Sequence, residues 1–203
     1  MIVAQDALTR LRDGNLRFAS SLRGSDAPLA ARRSELTRVQ EPVAIILGCS
    51  DARVPAEIVF DQGLGDLFVI RVAGNIVAPS QVGSVEFAAA RFGTRLVVVL
   101  GHSECGAILA TIEELQRPTN QSRNLKDILD RVRPSVESLL ETTLNKDMPA
   151  LVKCAVRANI RASVSHLKHA SQVLEELIEK DGLLVVGAEY SLETGVVEFL
   201  DMA

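Results

Sequence analysis

The sequence predicts an α/β fold. It would have a central, mostly parallel β-sheet flanked by helices, an N-terminal helical arm, and a C-terminal helical region with an edge hairpin. Three observations carry this expectation. Val43-Ala44-Ile45-Ile46-Leu47 and Leu96-Val97-Val98-Val99-Leu100 are apolar throughout, as strands buried on both faces are. Strand-like and helix-like segments alternate up to Gln116, which predicts βαβ units with right-handed crossovers. Near the end, Leu183–Glu189 and Val196–Leu200 are joined through Leu192-Glu193-Thr194-Gly195, which predicts a closing hairpin.

Taken in order, apolar residues recur at Ala4, Ala7, Leu8, Leu11, Leu16, Phe18 and Ala19, giving an amphipathic helix over Ala4–Leu22 that Gly14 weakens. Asp26 is an N-cap, with Pro28 in the first turn, for a second helix running to about Gln40. Pro42 ends it, and the first apolar run is the first strand. Pro55–Phe60 reads as a short helix, and Asp66–Val72 as a second strand closed by Ala73-Gly74-Asn75. Pro79–Phe92 is a helix, Gly93-Thr94 a break, and Arg95–Leu100 the third strand. A helix follows from about Glu104 to Gln116, then a polar loop over Arg117–Asn124. Leu125–Lys180 is helical, interrupted near Pro134, Pro149 and Ala170-Ser171. One domain over residues 1–203 is expected, divided into an arm (1–40), an α/β core (41–116) and a helical region with closing strands (125–203).

Composition narrows the function classes. An apolar fraction of 47% and a charged fraction of 24% belong to ordinary globular proteins. With 3% aromatics and no Trp, the core must be built from Val, Leu, Ile and Ala. A net charge of -4 gives no electrostatic case for nucleic acid or an anionic membrane. The apolar runs fall far short of the roughly 20 residues a membrane span needs. Met1-Ile2-Val3-Ala4-Gln5-Asp6 lacks the basic region and apolar core of an export signal, so a cytoplasmic location is expected. Three cysteines cannot all pair, which points to free thiols in a reducing compartment. Cys154, between Val152 and Val156, reads as a small buried side chain, and His166 and His169, three apart on one helix face, read as exposed surface histidines ahead of a proton-shuttling role.

The chemistry concentrates at two strand ends. Cys49-Ser50-Asp51-Ala52-Arg53 follows the first apolar run, and His102-Ser103-Glu104-Cys105 follows the third strand. Glycines precede both, Gly48 before Cys49 and Gly101 before His102, and glycine permits tight turning there. If the two strands are parallel neighbours, Cys49, His102 and Cys105 converge at their carboxyl ends, where open α/β sheets bind ligands. Two thiolates and an imidazole make a zinc site with three protein ligands. Such a site keeps a position open for water or substrate, whereas structural sites close with four Cys or His. By residue type and spacing alone, the pattern fits a metal site or a buried thiol pair beside a hydrogen-bonded histidine.

The stretch Gly48-Cys-Ser-Asp-Ala-Arg-Val-Pro-Ala-Glu57, with Gly101-His-Ser-Glu-Cys-Gly-Ala107 downstream, resembles the β-class carbonic anhydrases. The similarity extends to Leu8, Leu11, Gly14-Asn15 and Phe18, to Phe68-Val69-Ile70-Arg71 with Ala73-Gly74-Asn75, and to Tyr190–Leu200. It implies a zinc lyase that interconverts carbon dioxide and bicarbonate, with one Zn²⁺ per subunit held by Cys49, His102 and Cys105. It further implies that Asp51 and Arg53 are the catalytic dyad, Arg53 deciding whether Asp51 orients the attacking water or closes the metal shell as an inactivating fourth ligand. The residue after Asp51 is often Ser in the family and is Ala52 here. Gln40, Phe68, Ala73, Phe87 and Gly106 match substrate-pocket positions. Ala73 is usually a larger Val there, and Phe87 stands where plant-type members have Tyr. The three-histidine carbonic anhydrases of another fold bring their bound water to a pKa of about 7. Two thiolates neutralise the metal's charge, so an alkaline activity profile is expected here.

The resemblance also implies a homodimer or homotetramer, with the pocket at the subunit interface and the N-terminal helix embracing the partner. In some bacterial members a Trp, an Arg and a Tyr bind inhibitory bicarbonate. Arg71 and Tyr190 match two of these, but Ile46 replaces the Trp, which puts that inhibition in doubt. Two rival functions share the same ligands: hydrolysis of carbon disulfide or carbonyl sulfide, and a zinc-stabilised interaction protein without catalysis. No nucleic-acid or membrane partner is expected.

Overall fold

The computed structural model describes residues 2–21, 36–37 and 40–200. Helix α1 (Ala4–Ala19) buries Ala4, Ala7, Leu8, Leu11, Gly14 and Asn15, the spacing of one helical face. Gly14 is not the weak point that the sequence suggested. A Cβ there would stand 1.9 Å from the Phe60 carbonyl oxygen, so glycine is what lets the helix approach that backbone. Asn15 fixes the contact, donating to the carbonyls of Val59 (3.1 Å) and Gly195 (2.9 Å) and accepting the Val197 amide (2.7 Å). The apolar stripe of α1 packs on one face of this chain's own sheet, in the core it shares with the short helix Ala56–Val59. The helix expected from Asp26 to Gln40 lies, except for Leu36, Thr37 and Gln40, outside the described residues.

Strands β1 (Ala44–Gly48), β2 (Leu67–Arg71), β3 (Leu96–His102), β4 (Leu184–Tyr190) and β5 (Val197–Leu200) form one sheet of order β2-β1-β3-β4-β5. Pairing is parallel from β2 through β4 and antiparallel between β4 and β5, which are the expected hairpin. The third strand runs two residues beyond its expected end at Leu100, because β4 continues the ladder as far as His102 opposite Tyr190.

Between the strands lie α2 (Ala56–Val59), α3 (Pro79–Arg91) and α4 (Gly106–Gln116). The long helical region is α5 (Arg123–Val132), α6 (Pro134–Leu140), α7 (Met148–Lys168) and α8 (Gln172–Lys180). The interruption expected near Pro149 is the break between α6 and α7, and Pro149 itself lies at the start of the new helix. It sits in the first turn of α7, where its missing N–H has no helical partner to lose, and Asp147 caps that end. Ser122 and Ser171 cap α5 and α8 in the same way.

The period-two alternation of the strands sorts two apolar layers. Ile45, Leu47, Val97 and Val99 face α3 to α8 in the larger core. Ala44, Ile46, Leu96, Val98 and Leu100 face α1 and α2 in the smaller one. Cys154 is half-buried on α7 rather than fully buried, and His166 and His169 are exposed. Among the described residues, no helix is long and apolar enough to cross a membrane.

Candidate metal centre

β1 and β3 are parallel neighbours, with Gly48 opposite Leu100. β2 lies on the other side of β1, so the chain diverges between β1 and β3 and leaves a crevice at their carboxyl ends. Cys49 is the first residue beyond β1, and His102 is the last residue of β3. Glu104 adopts φ 53°, a left-handed conformation uncommon outside glycine, which folds the chain back toward the strand end. Cys105 then caps α4 in extended conformation. The helix starts at Gly106 rather than Glu104 because those two residues make the turn.

The ligand atoms of Cys49, His102 and Cys105 all lie within 4.8 Å of one another, and all three residues are buried. His102 Nδ1 faces the Ser103 carbonyl at 2.8 Å and therefore donates to it, which leaves the lone pair on Nε2. Among the described residues that buried Nε2 has no hydrogen-bond partner. An orphaned buried acceptor beside two sulfurs is what a thiophilic cation would satisfy, so the donor set fits Zn²⁺.

Without a cation the two sulfurs compete for a proton. The Cys105 thiol donates toward Cys49 and, against the opposing effect of burial, holds the Cys49 pKa down, with help from His102. The same contact, reinforced by burial, pushes Cys105 up. Burial works against a charged His102, but the nearby sulfur of Cys49, with the Ser103 carbonyl on Nδ1, outweighs it and raises its pKa.

Asp51 and Arg53 form a two-pronged pair. Arg53 Nε donates to Asp51 Oδ1 at 2.9 Å and Nη2 to Oδ2 at 2.7 Å, while the Arg53 amide also donates to Oδ1 at 2.9 Å. These bonds hold the Asp51 carboxyl well below the usual carboxylate range, despite the opposing effect of burial. Asp51 Oδ2 stands 3.8 Å from His102 Nε2, at the rim of the centre. Arg53 Nη2 reaches the Glu104 carbonyl at 3.4 Å and so links the two loops.

Arg71, at the end of edge strand β2, donates through Nε to the Cys49 carbonyl (3.1 Å) and through Nη2 to the Asp51 carbonyl (2.6 Å). Ile46 is wholly buried in the smaller core, and Tyr190 is buried with its ring centroid 6.4 Å from that of Phe18. The positions matched to an inhibitory bicarbonate site thus serve as a loop clamp and as core packing.

Of the expected pocket residues, Ala73 lies in the 3-10 turn Ala73–Asn75, next to Gly74, whose amide donates to Cys49 Sγ at 3.4 Å. Gly106 is exposed where α4 begins, with nothing within 4 Å of where a Cβ would stand. Phe68 pairs with Ile45, four residues before Cys49 and so about 13 Å back along the strand. Phe68, Phe87 and Phe92 form an aromatic trio with centroids 5.6 to 6.3 Å apart, and Phe87 is 55% exposed. Gln40 is exposed ahead of β1. Asp51 and Arg53 thus stand at the rim of the Cys49, His102 and Cys105 cluster and Ala73 adjoins the Gly74 that touches Cys49, whereas Phe68 lies back along the sheet with Phe87 against it.

Sequence reasoning did not find Gly74, Ser103 or Asn159 as supports of the centre. The signal for Asn159 was available: it is a polar residue in the apolar stripe Leu151, Val152, Ala155, Val156, Ile160 of a helix.

Fold and centre together define an open-sheet α/β protein able to hold a metal ion beside an ionised carboxylate–guanidinium pair. The family profile described as "Carbonic anhydrase" matches residues 44–197. The carbonic anhydrase of Mycolicibacterium smegmatis is 36% identical over 93% of this chain and 89% of its own. Carbonic anhydrase 2 of Mycobacterium tuberculosis is 36% identical over 91% of this chain and 87% of its own. In fold, the β-carbonic anhydrase CafA of Aspergillus fumigatus superposes with a TM-score of 0.74 at 24% identity, covering 98% of this chain and 91% of that one. A tetrameric β-carbonic anhydrase of Sordaria macrospora gives 0.71 at 24% identity, over 83% and 85% of the two chains. The chain belongs to the β-class carbonic anhydrases, a family of enzymes.

Proposed function

We propose that this protein catalyses the reversible, zinc-dependent hydration of carbon dioxide to bicarbonate and a proton. The observation that carries the reading is the convergence of Cys49, His102 and Cys105 within 4.8 Å, with the Asp51–Arg53 pair at their rim. The two sulfurs and His102 Nε2 would hold Zn²⁺, which would supply the Lewis acidity that makes a nucleophile of water.

The remaining work falls to side chains. Asp51, ionised and fixed by Arg53, accepts a hydrogen bond from the attacking water and aims an oxygen lone pair at the carbon. Two parallel N–H donors from Arg53 occupy both carboxylate oxygens, which keeps Asp51 available to the water instead of the metal. The Gly106 amide, in the first turn of α4 where N–H groups point out of the helix, approaches a developing bicarbonate oxygen. The released proton leaves through solvent beside Arg53, whose side chain is 56% exposed.

Gln40, Phe68 and Phe87 fit this reading as residues that one subunit lends to a neighbour's pocket. Support comes from the outer edge of β2, which pairs with no further strand among the described residues, the exposed Phe87 and the tetrameric relative. A homo-oligomer follows. Three free cysteines support a cytoplasmic setting.

The test is stopped-flow carbon dioxide hydration on the purified protein, with zinc stoichiometry measured on the same sample. One zinc per chain with rapid hydration is expected. Full zinc without hydration, or turnover of carbonyl sulfide or carbon disulfide instead, would refute the assignment.

A further inference from the structure

The two sulfurs of the centre differ in their surroundings. Cys49 Sγ accepts the Gly74 N–H at 3.4 Å, and Gly74 sits at φ 71° in the turn that follows β2. This turn is wedged in place: a Cβ on Gly74 would lie 3.1 Å from Ala107 on α4 and 3.3 Å from Val132 on α5. Helix α7 holds it from the third side. Asn159 Nδ2 donates to the Gly74 carbonyl at 2.8 Å, and Ser163 Oγ donates to the Asn75 carbonyl at 3.1 Å. Asn159 is 2% exposed, and a buried amide without a partner is costly, so its presence among Leu, Val and Ala calls for a polar duty. The helix is seated beside the centre, with Ile160 packed against Gly101, the residue before His102.

We infer that Asn159 is a positioning residue for the Cys49 thiolate: by fixing Gly74 it maintains an N–H···S hydrogen bond that draws charge away from the sulfur. The inference rests on the reading of Cys49 as a metal ligand. An N–H donor on a thiolate is charge-assisted, and it lowers the sulfur's donation to a cation. Asn159 acts on residue geometry and touches neither metal nor substrate. Its amide anchors the carbonyl of Gly74, and that anchors the direction of the Gly74 N–H on the other side of the same α-carbon.

The experiment uses the full-length protein, nitrogen-labelled and loaded with an NMR-active cadmium isotope in place of zinc. The wild type is expected to show scalar coupling between cadmium and the Gly74 amide proton, carried through the N–H···S bond. Asn159→Ala should lose that coupling and the slow exchange of the same amide, while hydration by the zinc form falls roughly tenfold, the lower end of what outer contacts to metal ligands are worth. Ser163→Ala, which removes a neighbouring anchor of the same turn, should retain the coupling. Should Asn159→Ala not fold, Asn159→Ser, polar but too short to reach the Gly74 carbonyl, is read in the same way. A cadmium-loaded wild type without the coupling, or a variant in which the coupling survives unchanged, would overturn the inference alone. A wild type that binds no cadmium would instead overturn the metal-centre reading beneath it.

Discussion

The loop after β1 runs from buried Cys49 out to Arg53, whose side chain is 56% exposed, whereas His102 at the end of β3 and Cys105 just beyond it are 0% and 1% exposed. The first loop is held from outside, by Arg71 on its carbonyls and Arg53 on its carboxylate. The second is held by backbone: β3 carries His102, the Ser103 amide donates to the Tyr190 carbonyl, and Ser103 Oγ accepts the Leu192 amide. Even the glycines that precede the ligands differ. A Cβ at Gly48 would meet nothing closer than 3.8 Å, but one at Gly101 would stand 2.6 Å from Ile160 on α7. Neither glycine has positive φ, so the tight turning expected of both is required of neither. The contrast separates two parts of one centre: His102 and Cys105 are set in packed backbone, while the loop after β1 joins the buried Cys49 sulfur to the exposed charge of Arg53.

Breaking the packed side should have the largest effect. Cys105→Ser is expected to abolish zinc retention and reduce hydration to background, read by metal analysis and stopped-flow on the same preparation. A variant that kept one zinc per chain would mean that Cys105 is not a ligand.

Breaking the exposed side should leave the metal in place. Arg53→Ala and Asp51→Asn are each expected to retain zinc and an unchanged melting temperature while losing roughly 10²-fold in hydration rate. Parallel loss of zinc and activity would assign these residues to loop support, and the contrast would fail.

A pH profile sharpens the same division. The Asp51 pKa is depressed in the fold, so its ionised contacts persist above the ordinary carboxylate range and are lost only as pH falls through the lower folded value. Hydration is expected to rise between about pH 6 and pH 9, and Asp51→Asn should lower the plateau without removing that rise. A variant profile that is flat over the same interval would place the titration on Asp51.

The glycines give the smallest effects. Gly101→Ala should destabilise by about 1 to 3 kcal/mol in urea unfolding, because Ile160 must move out of a packed core. Gly48→Ala, with ordinary contacts around it, should change stability by less than about 1 kcal/mol. Equal costs would remove the distinction between the two strand ends.

Much of this was legible in one dimension. The strand ends, the parallel neighbours and the convergence of Cys49, His102 and Cys105 could be read because two continuous apolar runs each stop at a short polar segment rich in Cys, His, Asp and Arg. The placing of α1 was not legible, since an apolar stripe states that a face is buried without stating against what. Gly14 illustrates the limit: as a helix residue it looks like a defect, and only the Phe60 carbonyl opposite explains it. The strand character of His102 was equally hidden, because it depends on pairing with Tyr190, 88 residues further along the chain.

Residue chemistry by itself determined what the centre is able to bind: two thiols, an imidazole and an Asp–Arg pair have fixed donor atoms and charges wherever they lie. Tertiary structure alone decided which groups surround those atoms. The Gly74 amide and the Arg71 guanidinium reach the loop of Cys49 from other elements, Asn159 holds Gly74 from a third, and such hydrogen bonds depend on packing that local sequence pattern does not encode.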